Sequence, residues 1–299
     1  MTIFGAYSSF GIHREMISDK VRMDAYSQAI LKNPSLLTGA VVMDLGCGTG
    51  ILSLFAAQAG ASRVIAVEAS EKMAAVATQY RLPKTMAFGI MKAMTSALGS
   101  VLLARDKWLK PGGAILPDTA TIYAAGFGRG STSLPFWEDV YGFNMSCIGK
   151  ELVQDAAQIP VVDVVDDCDL VTDATVLQTF DLATMKPGEV DFTASIELKP
   201  KFCKETPAVL STSPCTPKTH WSQTILTFRE PIAMAPENLP ADGRSAAVGT
   251  HAFPAATIQL RISIVRAAQH RSIDISMETV SVGPDGRKRS WPVQMFNLS

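Results

Sequence analysis

The stretch of sequence that decides the fold of this chain is Val42-Met43-Asp44-Leu45-Gly46-Cys47-Gly48-Thr49-Gly50. The apolar run at its start, Val41 to Met43, predicts a buried strand. Three glycines follow at every second position, where glycine lets the backbone turn sharply and come close to a ligand. Residues 51–59 then have the spacing of a helix, whose N-terminus presents free N–H groups and the positive end of its dipole. The stretch therefore predicts a ligand site between a strand and a helix.

A second apolar segment, residues 63–67, predicts another strand, and this strand ends at Glu68. A carboxylate at such a strand end, about 20 residues after a glycine turn, typically binds the two ribose hydroxyls of a nucleotide ligand. Strand, glycine turn, helix, strand and acid together indicate an adenosine-containing cofactor. An ordinary βαβ turn without a ligand is the alternative interpretation.

The spacing of the glycines separates the candidate cofactors. Proteins that bind NAD carry the pattern G-x-G-x-x-G, whereas this chain reads G-x-G-x-G, with Asp44 two residues before the first glycine. The pattern D-x-G-x-G-x-G resembles the first motif of S-adenosylmethionine (SAM) methyltransferases. SAM is therefore the expected cofactor, and an NAD-dependent reductase has little support because no acid–base pair accompanies the turn.

The composition excludes several classes of protein. The chain has 299 residues, enough for two ordinary domains, and 47% of them are hydrophobic. Its formal net charge is −1, without the basic stripe that direct nucleic-acid binding needs. No apolar run or signal peptide indicates a membrane, so we expect a soluble protein of the nucleus or cytoplasm. The five cysteines form no C-x-x-C pair, so neither a metal site nor a disulfide framework is predicted.

The first 40 residues are expected to form a helical lid across the cofactor site. Apolar residues recur at roughly helical spacing through residues 3–33, and Asn33-Pro34 ends the pattern. Taken alone, His13 and Arg22 in this segment would be surface or capping residues.

Further motifs are spread along nearly the whole chain. Near the N-terminus they are Phe4-x-x-Tyr7, His13-x-x-Met16, Asp19-x-x-Arg22 and Tyr26. Farther along they are Ala104-Arg105-Asp106-Lys107-Trp108, Ile115-Leu116-Pro117, Phe136-Trp137-x-x-Val140-Tyr141-Gly142 and Thr219-His220-Trp221. Together with the glycine turn, these motifs resemble those of the protein arginine methyltransferase family. The segment Phe10-Gly11-Ile12-His13 is most similar to the type I, histone-directed branch of this family, and to the sixth subtype in plants.

The resemblance implies roles for individual residues. The cofactor-binding residues would be His13, Arg22, Asp44, Gly46, Gly48 and Glu68. Arg22 would pair with the carboxylate of the cofactor, which suits its planar two-pronged donor. On the substrate side, Met16 would line the boundary between the methyl donor and the arginine channel. His220 and Trp221 would form a loop beside that channel, where His220 would hold the catalytic constellation through a hydrogen bond.

One element of the family pattern is missing. Family members clamp the substrate guanidinium between two glutamates, because a guanidinium stays protonated and must be held in line with the sulfonium carbon. The residues that match these glutamates here are Met86 and Thr95, so no catalytic residue is identified. No Asp or Glu occurs between Glu71 and Asp106, whatever the alignment.

The chain is also shorter than the family pattern, after Gln79 and again near residues 200–202, as a splice variant or a mispredicted gene model would be. No strand is predicted between Ala69 and Gly113, because residues 86–109 have a helical composition. The first strand is then expected to lack its neighbour and to carry an unpaired edge.

These observations predict an α/β plus β fold. A truncated, SAM-binding Rossmann-like domain would occupy residues 41–117, and an antiparallel β-barrel would occupy residues 118–299. Alternating segments predict strands at residues 178–182, 190–198, 223–228, 256–264 and 272–277. Residues 126–150 match the dimerisation arm of the family, which implies a homodimer. The sequence from Gly283 to Lys288 predicts a hairpin turn with a solvated basic tip.

Two functions of different classes follow. The first is a SAM-dependent enzyme that methylates arginine in histone-like protein tails, impaired because both clamp glutamates are missing. The second is a catalytically inactive homologue or splice variant that binds the cofactor or a family partner.

Overall fold

A computed structural model describes the chain at residues 9–79, 86–90, 97–128, 135–200, 212–235, 246–268 and 272–298. The chain divides into two compact units. The first comprises Met1–Asp118, Ala208–Thr212 and Thr216–Trp221, and the second comprises Thr119–Pro207, Ser213–Cys215 and Ser222–Ser299. No helix within the described ranges is long and apolar enough to cross a membrane.

Three helices open the described part of the first unit: α1 (Phe10–Ser18), α2 (Lys20–Leu31) and α3 (Pro34–Leu37). Asp19 caps α2, because its side chain accepts a hydrogen bond from the backbone N–H of Arg22 at 3.0 Å. A proline begins α3, a position where the missing N–H costs nothing. Helices therefore lie where the sequence predicts them, while their role as a lid stays a prediction.

A parallel sheet follows these helices. Its strands are β1 (Val41–Leu45), β2 (Arg63–Glu68) and β3 (Met86–Ile90), paired in the order β1-β2-β3. The accompanying helices are α4 (Ile51–Gln58), α5 (Glu71–Ala77) and α6 (Ala97–Trp108). The strand, glycine turn, helix and strand predicted around Gly46 to Glu68 are therefore present.

The prediction that no strand lies between Ala69 and Gly113 is wrong. β3 pairs with β2 along five residues, from Met86 opposite Val64 to Ile90 opposite Glu68. A short apolar run is compatible with strand or helix on periodicity alone. The outer edge of β2 supplies N–H and C=O partners for this segment, and pairing with that edge overrides its helical composition.

β1 lies at the opposite end of the sheet. Within the described ranges, no strand pairs with its other side. The prediction that this strand is buried is wrong, because none of its five residues is buried and Val41 is 65% exposed. Val64 of β2, in contrast, is 0% exposed. The apolar cluster beneath this sheet consists of Ala56, Ala61 and Val64, with Val42 and Ala57 packed against it.

The second unit is built from antiparallel strands. They are β4 (Thr119–Ala124), β5 (Val161–Asp163), β6 (Thr175–Asp181), β7 (Phe192–Leu198), β8 (Gln223–Ile225), β9 (Thr257–Arg266), β10 (Ile273–Val282), β11 (Lys288–Ser290) and β12 (Gln294–Leu298). Helix α7 (Ser146–Ala156) and 3₁₀ turns at Pro135–Glu138, Asp167–Asp169 and Pro187–Val190 lie between them.

The main sheet of the second unit has β9 and β10 at its centre. Its order is β11-β10-β9-β7, and β12 pairs with the first half of β10. β4 pairs with β6, and β5 with β8, in two further sheets. Leu177 of β6 packs into the same core as Leu260, Met277 and Phe296. The antiparallel β-rich domain is confirmed, although hydrogen bonds divide its described strands among separate sheets rather than one closed ladder.

The predicted hairpin turn joins β10 to β11. Gly286 in this turn has a φ of 82°, a left-handed conformation that favours glycine. Arg287 of the predicted basic tip is 39% exposed, and its guanidinium carbon also lies 4.1 Å from the ring centre of Phe253.

Candidate functional site

The glycine turn lies between β1 and α4. Gly46, Gly48 and Gly50 have φ angles of 70°, 54° and 88°, all in the left-handed region. The N–H groups of Gly46 and Cys47 donate to the carbonyl of Val67 at 2.8 and 3.0 Å, which ties the turn to the end of β2. The carboxyl ends of β1 and β2 therefore meet at this turn, and open α/β sheets bind ligands at that edge.

Glu68 ends β2 beside the glycine turn. Its Oε2 accepts a hydrogen bond from the N–H of Gly48 at 2.7 Å, and its Oε1 accepts from the N–H groups of Ala69 and Ser70 at 2.8 Å each. Backbone donors thus hold the carboxylate at the turn. The structure brings together two predicted cofactor-binding residues that are 20 positions apart.

Asp44 lies near the end of β1, below the turn. The hydroxyl of Ser53, which is 0% exposed, donates to Asp44 Oδ2 at 2.6 Å. Burial raises the pKa of Asp44, and the hydrogen bonds from Ser53 oppose that rise. Burial also raises the pKa of the neighbouring Cys47 thiol to about 12, so this thiol stays protonated at neutral pH and is no nucleophile.

Helix α1 brings His13 against the glycine turn. The His13 side chain is buried, at 7% exposure. A Cβ added to Gly48 would lie 2.5 Å from His13 Cε1 and 2.8 Å from its Nδ1. The imidazole ring therefore fills the space that a side chain at position 48 would need, while its contact with the cofactor stays a prediction.

Arg22 on α2 carries a buried nitrogen without a partner. Its Nη1 donates to the carbonyl of Met16 at 3.2 Å and to the sulfur of Met23 at 3.3 Å. Its Nε is buried and has no hydrogen-bond partner among the described residues. The charge of Arg22 opposes the rise in the pKa of Asp44 that burial causes, so the guanidinium lies within electrostatic reach of the glycine turn. A buried donor without a protein partner is available to bind an anionic or polar ligand.

Two aromatic rings flank the same guanidinium. The guanidinium carbon of Arg22 lies 5.1 Å from the ring centre of Tyr26 and 5.8 Å from that of Trp221. Both distances are in the range of cation–π attraction. Trp221 was predicted on the substrate side, and the structure places it beside a predicted cofactor residue.

His220 is bound to Asp19, an interaction within the first unit. Asp19 Oδ2 accepts from the backbone N–H of His220 at 2.7 Å, and it lies 2.7 Å from His220 Nδ1. The exposed fractions of the two side chains are 3% for Asp19 and 8% for His220. Burial opposes the ionisation of Asp19, but hydrogen bonds from Arg22 and His220 outweigh it and lower the pKa of this carboxyl.

Sequence reasoning left Asp19 out of the site. The signal for it was local, because an Asp three residues before Arg22 at a helix start is a typical N-cap. Its bond to His220 spans 201 positions and had no local signal. Ser53 and Tyr26 were likewise not assigned to the site.

Of the two positions matched to the clamp glutamates, the structure describes only the first. Met86 is the first residue of β3, opposite Val64 and therefore at the far end of the strand from Glu68. This placement does not favour Met86 as a clamp position, and the assignment stays a prediction. Thr95 lies outside the described residues. In the ranges that are described, no group of three or more His, Cys, Asp or Glu side chains could hold a metal ion.

Comparison with known proteins identifies both units. The family profile described as "Methyltransferase domain" matches residues 42–103, and the one described as "Arginine methyltransferase oligomerization subdomain" matches residues 118–203. Among solved structures, a chain of the Trypanosoma brucei PRMT1 enzyme–prozyme heterotetrameric complex with AdoHcy is similar, with a TM-score of 0.76 at 26% identity. The match covers 98% of this chain and 100% of that chain.

Two relatives from Arabidopsis thaliana give the level of similarity. The probable protein arginine N-methyltransferase 3 is 55% identical over 356 residues, which cover 99% of this chain but only 59% of the relative's length. The probable protein arginine N-methyltransferase 6 is 34% identical, over 77% of this chain and 71% of the relative. The predicted similarity to the sixth subtype is therefore wrong, since identity to the third is much higher. The chain belongs to the protein arginine N-methyltransferase family, whose members depend on SAM.

Proposed function

We propose that this chain binds SAM at the glycine turn and is an impaired protein arginine methyltransferase. The observation that carries the cofactor assignment is the buried, unpartnered Nε of Arg22, a donor that suits the carboxylate of SAM. Gly46 and Gly48 would let the backbone approach the ligand, and Glu68 would accept hydrogen bonds from its ribose hydroxyls. When bound, SAM supplies an electrophilic methyl group on its sulfonium sulfur.

The impairment is proposed because residues 72–105 contain no carboxylate. A substrate arginine stays protonated, and without carboxylates nothing in this segment neutralises its charge or aims one nitrogen at the methyl group. The length of the chain supports the proposal. The match to the Arabidopsis relative runs over 356 residues, whereas the chain has 299, as an internal loss of sequence would produce.

The proposed substrate of the residual activity is arginine in histone-like protein tails. This class follows from the resemblance to type I family members, and the −1 net charge of the chain does not oppose the approach of a basic tail. We propose the nucleus or the cytoplasm as the place of action.

Cofactor binding can be tested apart from catalysis. We expect the folded chain to bind S-adenosylhomocysteine, and Arg22→Ala to weaken that binding at least about tenfold because a charge-assisted pair contributes about 1.5–3 kcal/mol. Isothermal titration calorimetry measures both affinities. Arg14→Ala is the matched control, because Arg14 is an exposed arginine on the neighbouring helix α1. Catalysis is measured separately, with a radiolabelled methyl donor and an arginine-rich peptide. We expect the chain to methylate this peptide little or not at all.

Either part of the proposal can fail separately. A folded chain that does not bind S-adenosylhomocysteine would rule out the cofactor assignment. Rapid methylation of the peptide would rule out the impairment and support the hypothesis of an active arginine methyltransferase.

A second candidate function, that of a non-catalytic partner, is favoured by the arm residues 126–150. Phe136, Tyr141 and Phe143 are 59%, 97% and 73% exposed. Tyr141 also has a φ of 53°, which is unusual for a bulky residue, and it lies in a turn closed by the bond from Gly142 N–H to Asp139 Oδ1 at 2.8 Å. Exposed aromatic clusters mark protein interfaces. The enzyme–prozyme assembly named for the trypanosomal relative supports a partner role of this kind.

We propose a homodimer through this arm, and we expect Tyr141→Ser to weaken it at least tenfold. Large aromatic residues at the centre of an interface commonly contribute about 2 kcal/mol or more. Sedimentation velocity over a concentration series measures the dimer dissociation constant. Tyr123→Ser on β4 is the control, because Tyr123 is also exposed, at 48%, but lies outside the arm. Equal effects of both substitutions would contradict the arm as the interface.

A further inference from the structure

Two hydrogen bonds hold the Arg22 guanidinium at its Nη1 nitrogen. Among the described residues, Nη1 bonds to the Met16 carbonyl and the Met23 sulfur, whereas Nε has no partner. The two hydrogen bonds therefore hold the Nη1 end of the guanidinium, whereas its Nε edge is held by none among the described residues. Contacts on the faces of the guanidinium are the further contribution to its orientation.

Two aromatic rings lie beside the same guanidinium. The ring centres of Tyr26 and Trp221 lie 5.1 and 5.8 Å from the guanidinium carbon. Tyr26 is one helical turn after Arg22 on α2, so its position depends on the same helix. Trp221 comes from a segment about 200 residues away in sequence, and both residues belong to the first unit.

Trp221 is itself fixed to the helix that carries Arg22. Its ring centre lies 4.2 Å from that of His220, and His220 is bound to Asp19 through both its backbone and its ring. Asp19 in turn caps α2 through the N–H of Arg22. The segment Thr216–Trp221 thus contacts Arg22 by two routes, one through the indole and one through the helix cap.

We propose that Trp221 is a positioning residue for cofactor binding, because its indole, together with Tyr26, orients the Arg22 guanidinium toward the carboxylate of the cofactor. This inference rests on the proposed binding of SAM. The loop that carries Trp221, which is predicted to lie beside the substrate arginine, would then also contribute to cofactor binding. Any movement of Trp221 would then change cofactor affinity as well.

The test compares two ligands that differ at the end bound by Arg22. S-Adenosylhomocysteine carries the amino-acid carboxylate, whereas 5′-methylthioadenosine lacks the amino-acid end and keeps adenine, ribose and sulfur. We expect Trp221→Leu to weaken S-adenosylhomocysteine binding about tenfold, in line with a partly desolvated cation–π contact, and to leave 5′-methylthioadenosine binding unchanged. Trp221→Phe keeps an aromatic face and should restore most of the affinity. Calorimetry measures all of these values.

Trp108→Leu is the matched control, because Trp108 on α6 is also exposed, at 54%, and the cation beside its ring is Lys107, at 5.9 Å. Unchanged S-adenosylhomocysteine affinity in Trp221→Leu would overturn the inference, and so would an equal loss for both ligands, since that would indicate a general structural effect. If the unsubstituted chain binds neither ligand, the proposed function fails instead, and the inference fails with it.

Discussion

Replacing Gly48 by alanine is expected to lower the free energy of unfolding by about 2–5 kcal/mol and to abolish cofactor binding. Gly48 has a φ of 54°, and a residue with a Cβ pays about 1–2 kcal/mol in that conformation. The new Cβ would also lie 2.5 Å from Cε1 of the buried His13 ring, and overpacking of this kind adds about 1–3 kcal/mol. Relief of the overlap would move the Gly48 N–H away from Glu68. Urea unfolding and titration with S-adenosylhomocysteine measure the two effects.

Two other glycines in the chain separate strain from overlap. Gly46 and Gly39 have φ angles of 70° and 73°, and a Cβ on either would meet nothing within 4 Å. Alanine at either position should lower the free energy of unfolding by only about 1–2 kcal/mol, the cost of placing a residue with a Cβ in the left-handed conformation. Gly39→Ala, away from the turn, should keep the cofactor affinity. In a His13→Ala background, Gly48→Ala should cost no more than Gly46→Ala; an undiminished cost would show that His13 is not the obstacle.

The first half of the site was predictable because its signals are local. The spacing from Asp44 through Gly48 to Glu68 lies within one βαβ unit, so the sequence alone indicates both the turn and the carboxylate beside it. β3 was missed because its five residues become a strand only by pairing with the free edge of β2. The contact between Asp19 and His220 has no local signal in the sequence either, and only the family resemblance predicts a role for His220.

In the second unit, too, elements with a local sequence signal were predictable and elements that depend on distant contacts were not. Long alternating segments such as those of β9 and β10 were found, because one face of each packs into the core and the other faces solvent. β5 and β11, at three residues each, are too short to show a period. Residue types alone could not assign Trp221 either. Its predicted place beside the substrate came from the family, while its contact with Arg22 came from the folded chain.

Asp19 is the residue on which the second large effect is expected. Its carboxylate accepts from the N–H of Arg22 and binds both the N–H and the ring of His220. Asp19→Ala removes the helix cap, at about 1 kcal/mol, and leaves buried polar groups of His220 without a partner, at about 1–3 kcal/mol. We therefore expect Asp19→Ala to cost about 2–4 kcal/mol of unfolding free energy at pH 7. Because α2 carries Arg22, we expect the same substitution to lower the affinity for S-adenosylhomocysteine.

Asparagine at position 19 separates the helix cap from the contact with His220, because its amide oxygen still caps α2 while its NH₂ group cannot accept from His220. The hydrogen bonds hold the pKa of Asp19 below its usual 3.8, so its contribution to stability is complete above that pH and is lost as the pH falls through the lower value of the folded state. The difference in unfolding free energy between the unsubstituted chain and Asp19→Asn should thus be largest near neutral pH and shrink below about pH 3.8. Urea unfolding from pH 7 to pH 3 measures this difference. Asp24→Asn, at an exposed position of the same helix, should show almost none. A pH-independent difference for Asp19→Asn would mean that the loss comes from packing, and that the carboxylate charge does not hold His220 in place.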